Sequence, residues 1–269
     1  MELNVLGTSK VTLTICRRLI EKSHRVRFVV SRSREKAQRF VEELGTGIPT
    51  IYEEVEGLFD VVFFSVPDSV IHQVYETIKK KIQPGTCLIH FSGFHSSKIF
   101  KDAELLGFHR ASMHPNLSFA DPSIAYSNLP DCIFGVEGDE EGLKKAIKLV
   151  EDIPSRYVLL SEDGKATYHL AAVLCSNFAV GLAALAEKMY TKSGIKDSRE
   201  LISVLINSVA QNIRTKGVAG SLTGPVARGD WEVVQEEGKL FKETFPEFAQ
   251  LYDQMVELLK RIREGKLWA

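Results

Sequence analysis

Apolar residues in the first 160 positions fall into short runs separated by helical spacing. Leu3, Val5 and Leu6 form one run, which Gly7 ends. Val11, Ile15, Leu19 and Ile20 then recur three and four residues apart, the signature of one helix face. A second run covers 26–30. Strand, glycine turn, helix and strand make the opening unit of a dinucleotide-binding domain. The alternation continues with a helix over 35–44, a short strand at 50–52 and an unbroken apolar run over 60–66. Such a run suits a central parallel strand. A helix over 70–81, a strand over 86–91, a helix around 97–106 and a short strand over 110–113 follow. Two more strands, 132–136 and 157–160, enclose a helix over 140–152. The predicted class is α/β, with an N-terminal Rossmann-like doubly wound sheet of six to eight strands.

From residue 165 onward only helical spacing is found. The stretch 167–188 is apolar almost all round, which predicts a helix buried on every side. A membrane span is the rival reading, but 170–186 is short for a bilayer, carries Ser176 and Asn177, and stands alone. A central helix of a helical domain, also serving a dimer interface, fits it better. Further helices are predicted over 197–216, 231–244 and 246–263. The expected division is a dinucleotide-binding domain over 1–160 and an all-helical substrate and dimerisation domain over 161–269.

With 44% hydrophobic and 26% charged residues, the composition is that of an ordinary globular protein. A net charge of −1 favours neither nucleic acid nor an anionic membrane as partner. Cys16, Cys87, Cys132 and Cys175 are far apart and form no C-x-x-C pair, so no metal site or disulfide is expected. Buried reduced thiols are the expectation. No basic, apolar leader opens the sequence, and the expected location is cytoplasmic.

Candidate chemistry begins at the glycine turn. The dinucleotide fingerprint G-x-G-x-x-G reads here as Gly7, Thr8, Ser9, Lys10, Val11, Thr12, so one glycine of three is kept. Ser9 still offers a hydroxyl and an N–H, while Thr12 adds a branched side chain where space is short. The second strand ends in Ser31, Arg32, Ser33 and Arg34 rather than in an acid. An acid there would bind the ribose 2′-hydroxyl of NAD, whereas a guanidinium suits the 2′-phosphate of NADP. Ser33 also reads as a helix cap. Ser65, Val66 and Pro67 end the next strand, and Ser92 and Gly93 the one after. Ligands of open α/β sheets bind beyond such carboxyl ends, so these five are cofactor-binding candidates.

Three further groups carry polar chemistry. His114, in Met113–His114–Pro115–Asn116, stands at a strand end and can act as an acid or base; the alternative is a loop histidine with a local hydrogen bond. Lys165, His169 and Ser176 fall on one stripe of the long helix, with Asn177 about 80° round. They need partners or solvent, from a cleft or from a neighbouring helix. The third group runs from Leu222 to Asp230, where Thr223 and Arg228 sit among glycines and a proline. A rigid turn there could hold a carboxylate or phosphate, or Arg228 and Asp230 could simply shape the turn.

On these residues the chain resembles the uncharacterised family that joins a Rossmann-like NADP-binding domain to a C-terminal helical domain of unknown function. The segment 222–230, the run from His169 through Ser176 and Asn177, and His114–Pro115 followed by Ser118–Phe119 carry the likeness. More distantly the layout is similar to pyrroline-5-carboxylate reductase, ketopantoate reductase and the β-hydroxyacid dehydrogenases. The resemblance implies NADP(H), an active site between a nucleotide domain and a helical domain, and a homodimer formed through the helical domain. It maps Lys165 and Asn177 onto the lysine and asparagine that those relatives use on the long helix. Lys165 stands further from Asn177 than the ketoacid reductase pattern has it. The turn from Gly7 to Ser9 keeps fewer glycines than is usual in the family.

The reading reached is an NADPH-dependent reductase or dehydrogenase of a small carbonyl or imine bearing an acidic group. His114, Lys165, His169 and Asn177 are its catalytic candidates; His114, Ser176, Asn177, Thr223 and Arg228 are its substrate-binding ones. The alternative is an NADP-binding sensor without turnover. A pure assembly module would bind no nucleotide at all.

Overall fold

All eight predicted runs are strands of one sheet in the computed structural model, which describes residues 1–266. They are β1 (Glu2–Leu6), β2 (Arg25–Ser31), β3 (Ile48–Ile51), β4 (Val61–Phe64), β5 (Cys87–His90), β6 (His109–Pro115), β7 (Ile133–Gly138) and β8 (Arg156–Leu159). Their order is β3-β2-β1-β4-β5-β6-β7-β8. The β6–β7 pair is antiparallel and every other pair is parallel. The chain builds outward from β1 to β3, then returns to the other side of β1 with β4. That reversal is the switch point where doubly wound sheets bind ligands. Parallel pairing also brings the carboxyl ends of β1, β2, β4, β5 and β6 to one edge.

Alternate side chains of each strand serve different faces. Leu3, Val5, Phe63 and Ile89 pack with α1 (Lys10–Glu21), α2 (Arg34–Leu44) and α5 (Glu140–Asp152). Leu6, Val62, Phe64 and Leu88 pack with α3 (Ile71–Ile78) and with Phe100, Ala103 and Phe108. The helix expected over 97–106 is only a 3-10 turn at Ser97–Ile99 followed by irregular turns. A short helix that the pattern did not foretell, α4 (Pro122–Asn128), is capped by Asp121, whose carboxylate accepts from the Ser123 and Ile124 amides.

The remaining helices are α6 (Lys165–Cys175), α7 (Asn177–Lys192), α8 (Arg199–Lys216), α9 (Gly224–Arg228), α10 (Trp231–Thr244) and α11 (Ala249–Arg263). Strands cease near residue 160, while the chain divides into compact units between Asn177 and Phe178. The single helix expected over 167–188 is interrupted at Ser176 (φ −117°, ψ −73°), whose hydroxyl donates back to Ala172 O at 2.6 Å. Such back-bonding competes with the helical ladder.

That stretch is also not buried all round. Phe178 is 56% and Val180 70% exposed, and on α8 Leu205 is 56% exposed. Glu162–Lys192 is the one helical stretch among the described residues long and apolar enough to cross a membrane. Its beginning is committed to the sheet, since Lys165 is buried. Cys16, Cys87 and Cys132 are buried free thiols, but Cys175 is exposed.

Candidate active site

The glycine turn lies at the switch point. Gly7 donates to Val30 O at 2.8 Å, and Ser65 donates to Leu6 O at 2.7 Å, so the turn joins β2 and β4 across β1. Gly7 has φ +101°, and a Cβ there would lie 2.2 Å from Ser65 O. Only glycine tolerates both the conformation and the approach.

Ser9 and Thr12 occupy the other two glycine positions, and the structure explains how they fit. Ser9 caps α1, its hydroxyl accepting the Thr12 amide at 3.2 Å. The Ser9 and Ser65 hydroxyls are 2.6 Å apart, and the fully buried Thr12 hydroxyl donates to Ser65. Three hydroxyls thus fill the space that glycines would leave open. The first amides of α1 lack intrahelical acceptors and carry the positive end of the helix dipole. Thr8 and Val11 flank them, partly exposed, while Lys10 reaches away to Ala120 O at 2.7 Å.

At the end of β2 the serines and arginines divide their work. Ser31 is buried. Ser33 caps α2 through the Lys36 amide, and Arg34 is ion-paired with Glu54. Arg32 is exposed and bonds to no described residue. A cradle without room for a Cβ, a helix N-terminus and an uncommitted guanidinium fit a dinucleotide with a phosphorylated ribose.

A second cluster gathers at the ends of β5 and β6. Lys165, the first residue of α6, is 1% exposed. Its ammonium donates to Ser92 O at 2.8 Å and to the Ser112 hydroxyl. Burial lowers its pKa to about 8, against the opposing pull of Glu137 and Asp68. His114 and His169 stand edge to face, with ring centroids 5.6 Å apart. Both rings abut Gly93, where a Cβ would lie 2.3 Å from His169 Nδ1 and 2.8 Å from His114 Nε2. The Nδ1 atoms of both histidines are buried without a partner among the described residues. Burial, with Lys165 and His169 adding to it, pushes the His114 pKa down to about 3, so that ring is neutral near pH 7.

Residues that the pattern did not single out hold this cluster. Asp68 accepts the Ser92 hydroxyl at 2.6 Å, and the same hydroxyl oxygen accepts the Phe94 and His95 amides. Ser112 and Glu137 are cross-strand partners on β6 and β7. Glu137 was detectable as an acid closing the apolar run Ile133–Val136; Ser112 gave no signal.

The remaining candidates make local contacts. Ser176 is spent on Ala172 O and on Asn177 Oδ1 at 3.0 Å, and both residues are exposed. Val66 and Pro67 follow Ser65 at the switch-point edge, ahead of a 3-10 turn at Asp68–Val70. In the second compact unit, Arg228 Nε pairs with Asp230 at 2.7 Å within its own turn, and exposed Thr223 precedes α9.

Sheet order and turn define an NAD(P)-binding domain of the Rossmann type. Residues 2–92 match the domain described as NADP oxidoreductase, coenzyme F420-dependent, and residues 132–258 match a domain of unknown function, DUF2520. Protein TM1727 from Thermotoga maritima is 38% identical, with a TM-score of 0.83 over 97% of this chain and 99% of that one. The chain belongs to this family, which joins a Rossmann-like NADP-binding domain to a C-terminal helical domain of unknown function. BF3122 from Bacteroides fragilis shares the fold at 18% identity, with a TM-score of 0.80 over 96% of this chain and 97% of that one. So does 1-pyrroline-5-carboxylate reductase from Streptococcus pyogenes, at 15% identity and a TM-score of 0.62 over 97% of this chain and 98% of that one. None of the curated proteins compared with the chain matches it.

Proposed function

We propose that this protein is an NADPH-dependent reductase of a small carbonyl or imine. The observation that carries the reading is the meeting of Lys165, His114 and His169 at the carboxyl edge of β5 and β6. The Gly7 turn opens on that same sheet edge.

In this reading the α1 amides and the Gly7 turn bind the diphosphate, and Arg32 binds the 2′-phosphate. Val66, Pro67, Ser92 and Gly93 line the path toward the reacting end. The bound nicotinamide supplies the hydride. His169 gives the proton to the reduced oxygen or nitrogen. Neutral His114 orients that partner, and the Lys165 ammonium places a fixed positive charge beneath the site. Arg228 is already engaged by Asp230, so an acidic substrate group would have to displace that carboxylate to use it.

The exposed apolar faces of α7 and α8 fit a homodimer. A groove of about 470 Å³ between them is lined by Val180, Ala183, Ile202 and Ile206. The test of function is NADPH oxidation over a panel of small carbonyls and imines, for the wild type and for His169→Gln. Turnover that His169→Gln abolishes while NADPH still binds supports the reading. Nucleotide binding with no turnover over the whole panel would favour a sensor.

A further inference from the structure

Glu137 is a buried acid that the proposed chemistry does not use. It is 2% exposed, inside a sheet whose other β7 side chains are apolar. Burial raises its pKa, against the pull of the Ser97 hydrogen bonds and Lys165. Buried carboxylates need both hydrogen bonds and a compensating charge. The hydrogen bonds come from Ser97, whose amide donates to Oε1 at 2.7 Å and whose hydroxyl donates to Oε2 at 2.9 Å.

Among the described residues Lys165 is the one buried lysine or arginine. Its ammonium is bonded to Ser112, the residue directly opposite Glu137 across the β6–β7 ladder. Directly opposed residues share a sheet face. The two charges also hold opposite ends of one loop: Lys165 binds Ser92 O and Glu137 binds Ser97. Between those ends lies Gly93, against the two imidazoles.

We propose that Glu137 is a positioning residue for this site. Paired through space with Lys165, it grips the loop 92–97 and holds Gly93 against His114 and His169. The importance of that loop rests on the reductase reading; the charge pair does not. Other charged or titratable groups face the pair from each neighbouring element. Asp68, after β4, faces Lys165 but is exposed. His90 on β5 and His114 on β6 also feel Lys165, and burial keeps both neutral. His169 lies on α6 beside His114. Glu162, which faces Glu137, is engaged by Lys98 and Arg110. Among the described residues Glu137 is the only buried acid.

The test is an NMR titration of the full chain carrying [ε-13C]lysine, without cofactor, with Lys165 assigned by Lys165→Met. The wild-type midpoint is expected near 8. Glu137→Gln should lower it by about one pH unit or more, as loss of a nearby opposite charge does. Asp68→Asn should leave it within a few tenths of a unit, because exposed charges are screened. An unchanged midpoint in Glu137→Gln overturns the proposal. If Glu137→Gln does not fold, the double variant Lys165→Met/Glu137→Gln decides. Recovery of a folded chain supports a charge pair, and a double variant as unfolded as the single one overturns it. Neither measurement involves NADPH or a substrate, so failure of the reductase reading would leave them untouched.

Discussion

Gly93 and His169 are in contact at a place where no side chain fits: a Cβ on Gly93 would lie 2.3 Å from His169 Nδ1. An added methyl must displace the His169 imidazole, and His114 crowds the same spot, its Nε2 2.8 Å from that Cβ. Gly93→Ala should therefore cut turnover about a hundredfold, the scale of an ångström-sized misplacement. Steady-state kinetics on a substrate found in the panel checks this. Unchanged kcat would remove the imidazole pair from the chemistry.

Gly7 poses the same question at the cofactor turn. Gly7→Ala combines a left-handed backbone (φ +101°) with a 2.2 Å collision against Ser65 O. The backbone alone costs about 1–3 kcal/mol. Gly45 has a left-handed φ of +82° and open space around it. Thermal melts should show Gly7→Ala clearly less stable than Gly45→Ala, with NADPH affinity lost only in the former.

The acid limb of stability should follow two buried histidines. Burial lowers the pKa of His90 and of His114 to about 3. An unfolded histidine takes up its proton near 6.5, so the unfolded chain binds more protons than the native one between those values. Stability is then lost as pH falls from about 6.5 toward 3. A His114→Phe variant should show a shallower loss over that window in denaturant titrations at stepped pH. An identical slope would mean that His114 is protonated in the native state.

The apolar faces of α7 and α8 predict self-association. Val180→Glu with Leu205→Glu should turn a dimer into a monomer in sedimentation equilibrium, leaving the helical content intact. A wild type that is monomeric in the absence of detergent would contradict the dimer. A wild type soluble only with detergent would point to a membrane instead.

Much of the nucleotide domain was legible because a central parallel strand such as β4, buried on both faces, leaves an unbroken apolar run. All eight expected strands are present, including the less apolar β6 and the exposed β8. Lys165, His114 and His169 were legible as polar residues in apolar or strand-end settings. Their meeting at Gly93 was not, since it depends on α6 approaching the ends of strands distant in sequence. The helix expected over 97–106 failed because Ser97 is held by Glu137 and the chain turns irregularly to bury Phe100, Ala103 and Phe108. Helical spacing around 167–188 gave no sign that Ser176 would turn its hydroxyl back on Ala172. Burial was overread there, because an all-round apolar helix can also await a second copy. The missing glycines at Ser9 and Thr12 pointed to damage. Ser65, 53 residues beyond Thr12, supplies the hydroxyl that accommodates both.

Arg32 bears most directly on the central claim, that this chain works on NADPH. Fluorescence titrations of NADPH and NADH into the wild type and Arg32→Ala measure it. The account predicts tight binding of NADPH, weaker binding of NADH, and a roughly tenfold or greater loss for NADPH alone in Arg32→Ala, the worth of a charged hydrogen bond. Equal affinity for both nucleotides in both proteins would contradict the assignment of the 2′-phosphate to Arg32. Binding of neither would contradict the reductase itself.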